Sequence, residues 1–463
     1  MIKIISADRY IPEKEYIFDV IFNDFLGIEY SVEYGGRDAS TFIFGENGSI
    51  EIPEVFFAID DSKWLTKDSL PMLPLNVANI KIFFKNYEHM PIIYGKTNIM
   101  NEYIHIEKDK IFWGIDVFGS VFFMLSRYEE YVLLQYRDSH DRFPAEMSVA
   151  YKCGFLDRAI VNEYVEMLWE LLSKISSSLI RKKRSFELIS THDIDKPFGM
   201  LYDSPIQIIR HLVGDLFFRK SINQFLIRIK DICKMIFRKK IYIGEKMQTF
   251  YFILEQSKKH KLRDIFLCMK SKCSLRDGNY TIDSQDVIML IKKIVKDGHF
   301  IGIHPSYISY DNGLEIRNEV MNMNAILSRN KFPKIVGGRQ HYLRWKNPDT
   351  WQFYEDACIP FDSSMTYAAS VGFRSGVCYP YHVYNLHSRK KLALIERPLI
   401  VMDGSLYEYM KLSHEEAMHV IKKLANECKK YDGEFIILWH NTMLDNMEER
   451  CFYKRVLDEV CSK

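Results

Sequence analysis

The chain has 463 residues, 47% hydrophobic and 27% charged, the balance of a globular protein with room for two or three cores. Lys and Arg total 63 against 61 for Asp and Glu, so no overall basic field points to a nucleic-acid partner. The nine cysteines are scattered without a CxxC pair, which argues against a zinc ribbon or a secreted disulfide framework.

The opening residues, MIKIISADRYIPEKEYIF, alternate apolar and polar side chains and lack the apolar stretch of a signal peptide. No segment reaches the roughly 18 charge-free apolar residues of a membrane span. A cytoplasmic protein with reduced thiols is the expectation.

Residues 1–182 read as an α+β N-terminal domain. Short alternating runs (Tyr16 to Phe22, Ser49 to Ile52, Ile80 to Phe84) suggest strands and precede a helical half. That half contains 111–131, where Val117, Val121, Met124, Leu125 and Tyr128 recur at helical spacing, and 161–175 with the same pattern. Gly119 and Ser120 would allow another backbone to pack closely. The charge-dense runs SRYEEY and RDSHDRF (137–143) read first as a buried salt-bridge network at a domain interface, and second as an acidic–basic site. RKKRS (181–185) is a plausible linker.

From about residue 183 to 463, apolar runs of strand length alternate with helical stretches, the pattern of parallel βα units. The expected strands are 186–190, 264–269, 299–303, 333–337, 357–361, 393–401 and 434–439. The helix between two of them, 284–298, has Ser284 as expected N-cap and Gly298 just past its end. Six of the seven runs lead into polar clusters: Thr191-His192-Asp193-Ile194-Asp195, His304-Pro305-Ser306-Tyr307, Arg339-Gln340-His341-Tyr342, Asp362-Ser363-Ser364, Asp403-Gly404-Ser405 and His440-Asn441. In a parallel barrel all these ends lie on one face, where active sites are built. A helical insertion, about 200–245, carries two apolar stripes (Ile208, Ile209, Leu212, Leu216; then Phe225, Ile229, Ile232, Ile236) among many Lys and Arg. Such a segment reads first as a helical hairpin packed on its own protein, and second as a peripheral contact of 205–240 with an anionic membrane surface.

Two carboxylates near one cation divide the labour: one binds the metal and the other takes a proton from water. Asp193 and Asp195 fit that division, although a lone DxD is also a common turn. His304, His341 and His440 each follow an apolar run, and with the Asp pair they complete an N/O donor set for Zn²⁺ or a similar divalent ion.

Together THDID, GHFIGIHPSY, GRQHY, FDSS followed by GFRSG, and LWHN resemble, in order, the motifs of the polysaccharide deacetylases (NodB homology, carbohydrate esterase family 4). The FGSVFFMLSRYEEY stretch further resembles the branch in bacterial surface-polysaccharide clusters, which carries an extra N-terminal domain. The resemblance implies a distorted seven-stranded (β/α) barrel holding one divalent metal, usually zinc, and removing N- or O-acetyl groups from a sugar or polysaccharide precursor. It implies Asp193 as base, Asp195 and His304 as metal ligands, Arg339 as the residue orienting the base, and His440 as donor to the leaving group. Asp362 lies near the fourth motif, without its tryptophan, and is carried as catalytic. The family's second metal histidine falls at Ile308; His341, in place of the usual proline of RxPY, is the expected replacement, with His192 as the other candidate. Tyr307, Tyr342 and Trp345 are expected either to offer faces to a sugar ring or to pack in the core. Rival readings are an inactive carbohydrate-binding or scaffold protein, another metal hydrolase on a similar barrel, and a membrane-surface assembly factor.

Overall fold

The computed structural model describes residues 1–36, 39–85, 87–218 and 221–462. Its first eight strands are Ile2–Ala7 (β1), Tyr30–Gly36 (β2), Ser40–Phe44 (β3), Ser49–Pro53 (β4), Asn76–Asn79 (β5), His89–Ile92 (β6), Ile104–Glu107 (β7) and Lys110–Trp113 (β8). Six of them form a mixed sheet in the order β2-β1-β3-β4-β8-β7, while β5 and β6 make a separate antiparallel pair. Ile2, Ile4 and Ser6 of β1 are buried at period two, so one face of the sheet is covered. The helices Val117–Leu125 and Ile160–Ile175 pack on each other, and the second also packs on β4.

Three expectations for this region need correction. Tyr16 to Phe22 is helical: Ile11–Phe18 runs into a wider turn, Asp19–Leu26. Ile17, Phe18, Val20, Ile21 and Phe22 are all fully buried, and a helix covered on every side loses the polar stripe that marks its period. Residues 80–84 form turns rather than a strand. The stretch 111–131 is not one helix: it begins in β8, and the helix Val117–Leu125 is separated from Tyr128–Val132 by Arg127, at φ 52. Asp116 caps the first of these helices, accepting from the backbone N–H of Gly119 (2.8 Å), Val55 (2.8 Å) and Phe56 (2.8 Å).

The second region contains Glu187–Ile194 (β9), Ile265–Cys268 (β10), Phe300–Ile303 (β11), Phe361–Asp362 (β12), Tyr381–Asn385 (β13), Lys390–Glu396 (β14), Val401–Met402 (β15) and Glu434–Leu438 (β16). Five of these form an all-parallel sheet in the order β11-β10-β9-β16-β15. A second sheet, β12-β14-β13, is reached through Gly338, which bridges in parallel to Ile303 on one side and Asp362 on the other. Residues 333–337 therefore form no strand, the bridge falling just past them at Gly338, and of 357–361 only Phe361 is in one. The expected strand 393–401 is broken at Arg397-Pro398: β14 pairs with β12 and β13, and the chain then leaves for β16 through β15. Pro398 has no N–H to offer a ladder. Among the described residues no strand pairing joins β15 to the β12-β14-β13 sheet, so no closed barrel is seen.

Gln285–Lys296 is the helix expected there, with Gly298 at φ +89 beyond its end. Ser284 stands at its N-cap, but its hydroxyl pairs with Tyr202 instead of with the helix. The insertion folds as Pro205–Val213, Ile222–Phe237 and Lys239–His260; Arg219 and Lys220 lie outside the described residues.

One cluster of buried apolar side chains runs from Ile2 to Val460 and includes residues of both regions. Polar groups cross the same boundary. Glu13, fully buried, accepts from Tyr384 and from Nε and Nη2 of Arg389. Glu130 forks onto Arg374 (2.9 and 2.5 Å), and Arg127 bonds Glu130 (2.9 Å) and Tyr367 (3.1 Å). SRYEEY is therefore a buried ion-pair network between the regions.

Candidate functional site

Strand alternation builds the first wall. Along β9 and just beyond it, residues 191, 193 and 195 share one side, and 192 and 194 the other. Asp193 and Asp195 accordingly enter a cavity of about 330 Å³ that is also lined by His304, His341, His440, Asp277, Asp403 and Tyr342. His192 faces away: its Nδ1 meets the Trp439 carbonyl at 2.8 Å and its Nε2 lies 3.5 Å from Asp264. This removes His192 as a candidate ligand.

Asp195 Oδ1, His304 Nε2 and His341 Nε2 converge. The carboxylate oxygen is 3.5 Å from the His304 nitrogen and 3.8 Å from that of His341. All three atoms lie within 4.8 Å of one another, the spread one ion can bridge. Each imidazole has its other nitrogen committed: His304 Nδ1 to the Arg339 carbonyl (2.7 Å), His341 Nδ1 to Asp277 Oδ1 (2.9 Å). That leaves both Nε2 atoms facing Asp195, since a carbonyl or carboxylate on the other nitrogen orients a metal-binding imidazole in this way. Asp195 Oδ1 is buried without a hydrogen-bond partner, an arrangement a protein ordinarily avoids. Two imidazoles, one carboxylate and an orphaned oxygen fit a divalent ion with an open position. Position 308, where a second family histidine would stand, is an isoleucine 48% exposed.

Asp193 is held from behind. Arg339 Nη1 donates to its Oδ1 (2.8 Å) and to Thr191 Oγ1 (3.0 Å), while Arg339 Nε and Nη2 donate to the carbonyl and hydroxyl of Ser363. Burial opposes ionisation of Asp193, but Arg339, with His304 and His440, outweighs it and holds the carboxyl below its ordinary range. Burial lowers His304, which keeps the imidazole neutral, the form that ligates. His440 behaves oppositely. Burial lowers it, yet Asp403, which accepts from His440 Nδ1 and from its backbone N–H at 2.7 Å each, lifts it to about 10.

Other expected residues are placed elsewhere. Asp362 is fully buried behind Arg339, accepting from Ser364 Oγ (2.5 Å), and shares a low-dielectric pocket with Glu396. Burial raises Asp362 to about 6 and Glu396 further, so the two carboxyls retain a proton between them. Asp362 does not line the cavity, which corrects its expected contact with reacting groups. Trp345 is 1% exposed and packs on Trp351, a core role. Tyr307 lies beside the cavity, with Arg344 over its ring and its hydroxyl on His140 (3.1 Å). Tyr342 does line it, at φ 60.

Sequence reasoning left out Asp277, and gave no role to Asp403, named only as a strand end, or to Arg142, named only within RDSHDRF. Asp403 had a signal, since it follows an apolar run as His440 does. Asp277 sits in an Arg-Asp-Gly turn without a strand before it; burial would raise its carboxyl, but His341 and the backbone N–H groups of Tyr307 and Ser274 outweigh that and hold it at about 2. Arg142 comes from the first region, bonds Asp138, the Tyr342 carbonyl (3.1 Å) and Tyr409 (3.1 Å), and lines the cavity.

Comparison with known proteins places these findings. Residues 2–177 match DUF7033, a family of unknown function. A search of curated proteins finds no match. Among solved structures, one from Mycobacterium smegmatis, assigned as a polysaccharide deacetylase, is 14% identical with a TM-score of 0.41, covering 61% of this chain and 85% of that one. A family 4 carbohydrate esterase from Streptomyces lividans in complex with acetate is 9% identical (TM-score 0.28; 46% and 80% covered). A mutant of a CE4 family pseudoenzyme with restored enzymatic activity is 11% identical (TM-score 0.29; 60% and 63% covered). At these scores the likenesses lend no weight to any function, and the chemistry of this chain has to be argued from its own residues.

Proposed function

We propose that the protein is a metal-dependent hydrolase that removes acetyl groups from an N- or O-acetylated sugar, with Asp195, His304 and His341 holding a divalent ion, zinc foremost. The convergence of the two free Nε2 atoms on the unpartnered Asp195 Oδ1 carries this reading. When bound, such an ion supplies Lewis acidity toward an acetyl carbonyl and acidity to a water. The chain supplies the remainder. Asp193, ionised through Arg339, accepts the proton of the attacking water. His440, protonated through Asp403, returns a proton to the departing nitrogen or oxygen. Asp277 fixes the His341 ring, and Tyr342 and Tyr409 border the space left for a sugar. A cavity of about 330 Å³ stands at the small end of ligand pockets, ~300–1,000 Å³, which favours one sugar unit over a long glycan segment. The division into an accessory domain, 1–182, and a catalytic one, 183–463, belongs to the same proposal.

Elemental mass spectrometry of purified protein, beside acetate release from acetylated sugars, tests this. About one ion per chain, lost in Asp195→Ala and in His341→Ala, is the expected result. Retention of the ion in His341→Ala would remove His341 from the ligand set. A second reading, an inactive carbohydrate-binding protein, draws on the exposed isoleucine at position 308. It predicts sugar binding with no acetate released, whatever the metal content.

A further inference from the structure

Seven large apolar side chains of the helices Pro205–Val213 and Ile222–Phe237 are more than half exposed. In the second helix, Ile222, Leu226, Ile229 and Ile236 stand at i, i+4, i+7 and i+14 and all face solvent; at the first helix and its end, Ile206, Ile209, Val213 and Phe217 repeat the spacing. Ile222 is 69% exposed, Phe217 71% and Phe237, at the helix end, 81%. The alternate apolar positions Ile208, Leu212, Phe225 and Ile232 are half-buried. The hairpin therefore has two apolar faces, one turned to the protein and one left open. Contiguous open apolar surface of this kind marks an interaction site.

The charge of the segment selects the partner. Residues 205–240 hold nine Lys and Arg against two Asp, in a chain whose total is +2. Arg210, Lys230, Arg238, Lys239 and Lys240 are all exposed. A second copy of this surface would bring like charges together with only two acids to meet nine bases. An anionic bilayer meets both requirements: acyl chains for the stripe, and phosphate headgroups for the cations. Among the described residues no helix is long and apolar enough to cross a membrane, so the segment would lie on the surface and not span it. We propose that the open face of the helices at 205–213 and 222–237 docks on an anionic lipid bilayer.

The position of the hairpin gives this docking a consequence for the catalytic reading. The cleft beneath it is lined by His211, Gln224, Ile227 and Arg228, and also by Lys196 and Thr442, which line the candidate active site as well. If the proposed hydrolase reading holds, a docked molecule presents its site beside the membrane, where a sugar carried on a lipid would be held.

The test needs no substrate and is independent of the hydrolase reading. Full-length protein is floated with vesicles of phosphatidylcholine alone and with vesicles containing phosphatidylglycerol. Wild type is expected to float with the second and not the first, and to be released by salt. The triple variant Ile222→Ser, Leu226→Ser, Ile229→Ser should lose more than about tenfold in partitioning, since two buried methylene groups already account for that much. Lys239→Glu with Lys240→Glu should lose binding to anionic vesicles. These positions are exposed, and circular dichroism checks that each variant folds. Wild type staying with the unbound fraction, equal binding to both vesicles, or a triple variant that floats normally would each overturn the proposal. So would light scattering that finds a dimer broken by the triple variant while no vesicle binds.

Discussion

At the scale of single residues, the candidate site is organised by carboxylates behind histidines. Asp277 fixes the ring of His341 and Asp403 fixes that of His440, but the two pairs should answer differently to substitution. Asp277→Asn keeps the volume and removes the charge; metal affinity is expected to fall about 10- to 100-fold, as when a carboxylate behind a ligating imidazole is lost, measured by competition with a chelating dye. Asp403→Asn should leave metal content unchanged and lower kcat about 10²–10⁴-fold, the range for removing acid–base assistance, with little change in KM. An Asp403→Asn protein that loses its metal would place Asp403 in the ion site instead. Asp193, Asp195, His304, His341 and His440 were legible in the sequence because each follows an apolar run. Asp277 was not, because its importance lies entirely in which imidazole it meets. Asp362 misled for the converse reason: it ends a strand like the others, yet its strand is two residues long and sits behind Arg339.

Among the elements, close approach of loops matters more than strand length. The loop between β10 and Gln285–Lys296 presses on the end of β9: a Cβ at Gly278 would stand 2.1 Å from the Asp195 carbonyl oxygen. Backbone cannot yield as a flexible side chain can, so Gly278→Ala should push Asp277 and Asp195 apart and weaken metal binding, while the far core keeps its packing. Isothermal titration of the variant with zinc checks this; unchanged affinity would mean that the loop adjusts freely. The apolar runs of β9, β10, β11 and β16 were readable because parallel strands buried on both faces are continuous in hydrophobic residues. The break of 393–401 at Arg397-Pro398 was visible only as a proline, and the direction taken by each half is a tertiary matter.

On the scale of the whole molecule, the two regions share one core and one buried ion network. Burial raises the carboxyl of Glu130, but Arg374 and Arg127 outweigh that and hold it at about 2, below its ordinary 4.5. A carboxyl depressed on folding contributes stability that is complete above its unfolded value and is lost as pH falls through the folded one. Glu130 should therefore stabilise fully above pH 4.5 and progressively less toward pH 2. Glu130→Gln should cost about 3–5 kcal/mol at neutral pH, because buried Arg374 loses its carboxylate and Arg127 keeps only Glu129. It should also flatten this part of the stability curve, as followed by urea unfolding across pH. A variant within about 0.5 kcal/mol of wild type would show that solvent reaches the network. Because the core is continuous, calorimetry of the full chain should record a single transition, and two resolved transitions would show that the regions unfold separately.

By itself the sequence determined which residues could do chemistry and, through apolar period and length, where the parallel strands and most helices lie. Those are local properties: burial on both faces of a strand, or on one stripe of a helix, is written in neighbouring residues. The tertiary structure decided the rest. It turned His192 away and brought His341 in, paired Asp277 and Asp403 with their histidines, left the barrel open between β15 and its neighbour, and put SRYEEY at a buried boundary. Each of these depends on contacts between residues tens to hundreds of positions apart, and no local pattern encodes which distant partner a buried charge will meet.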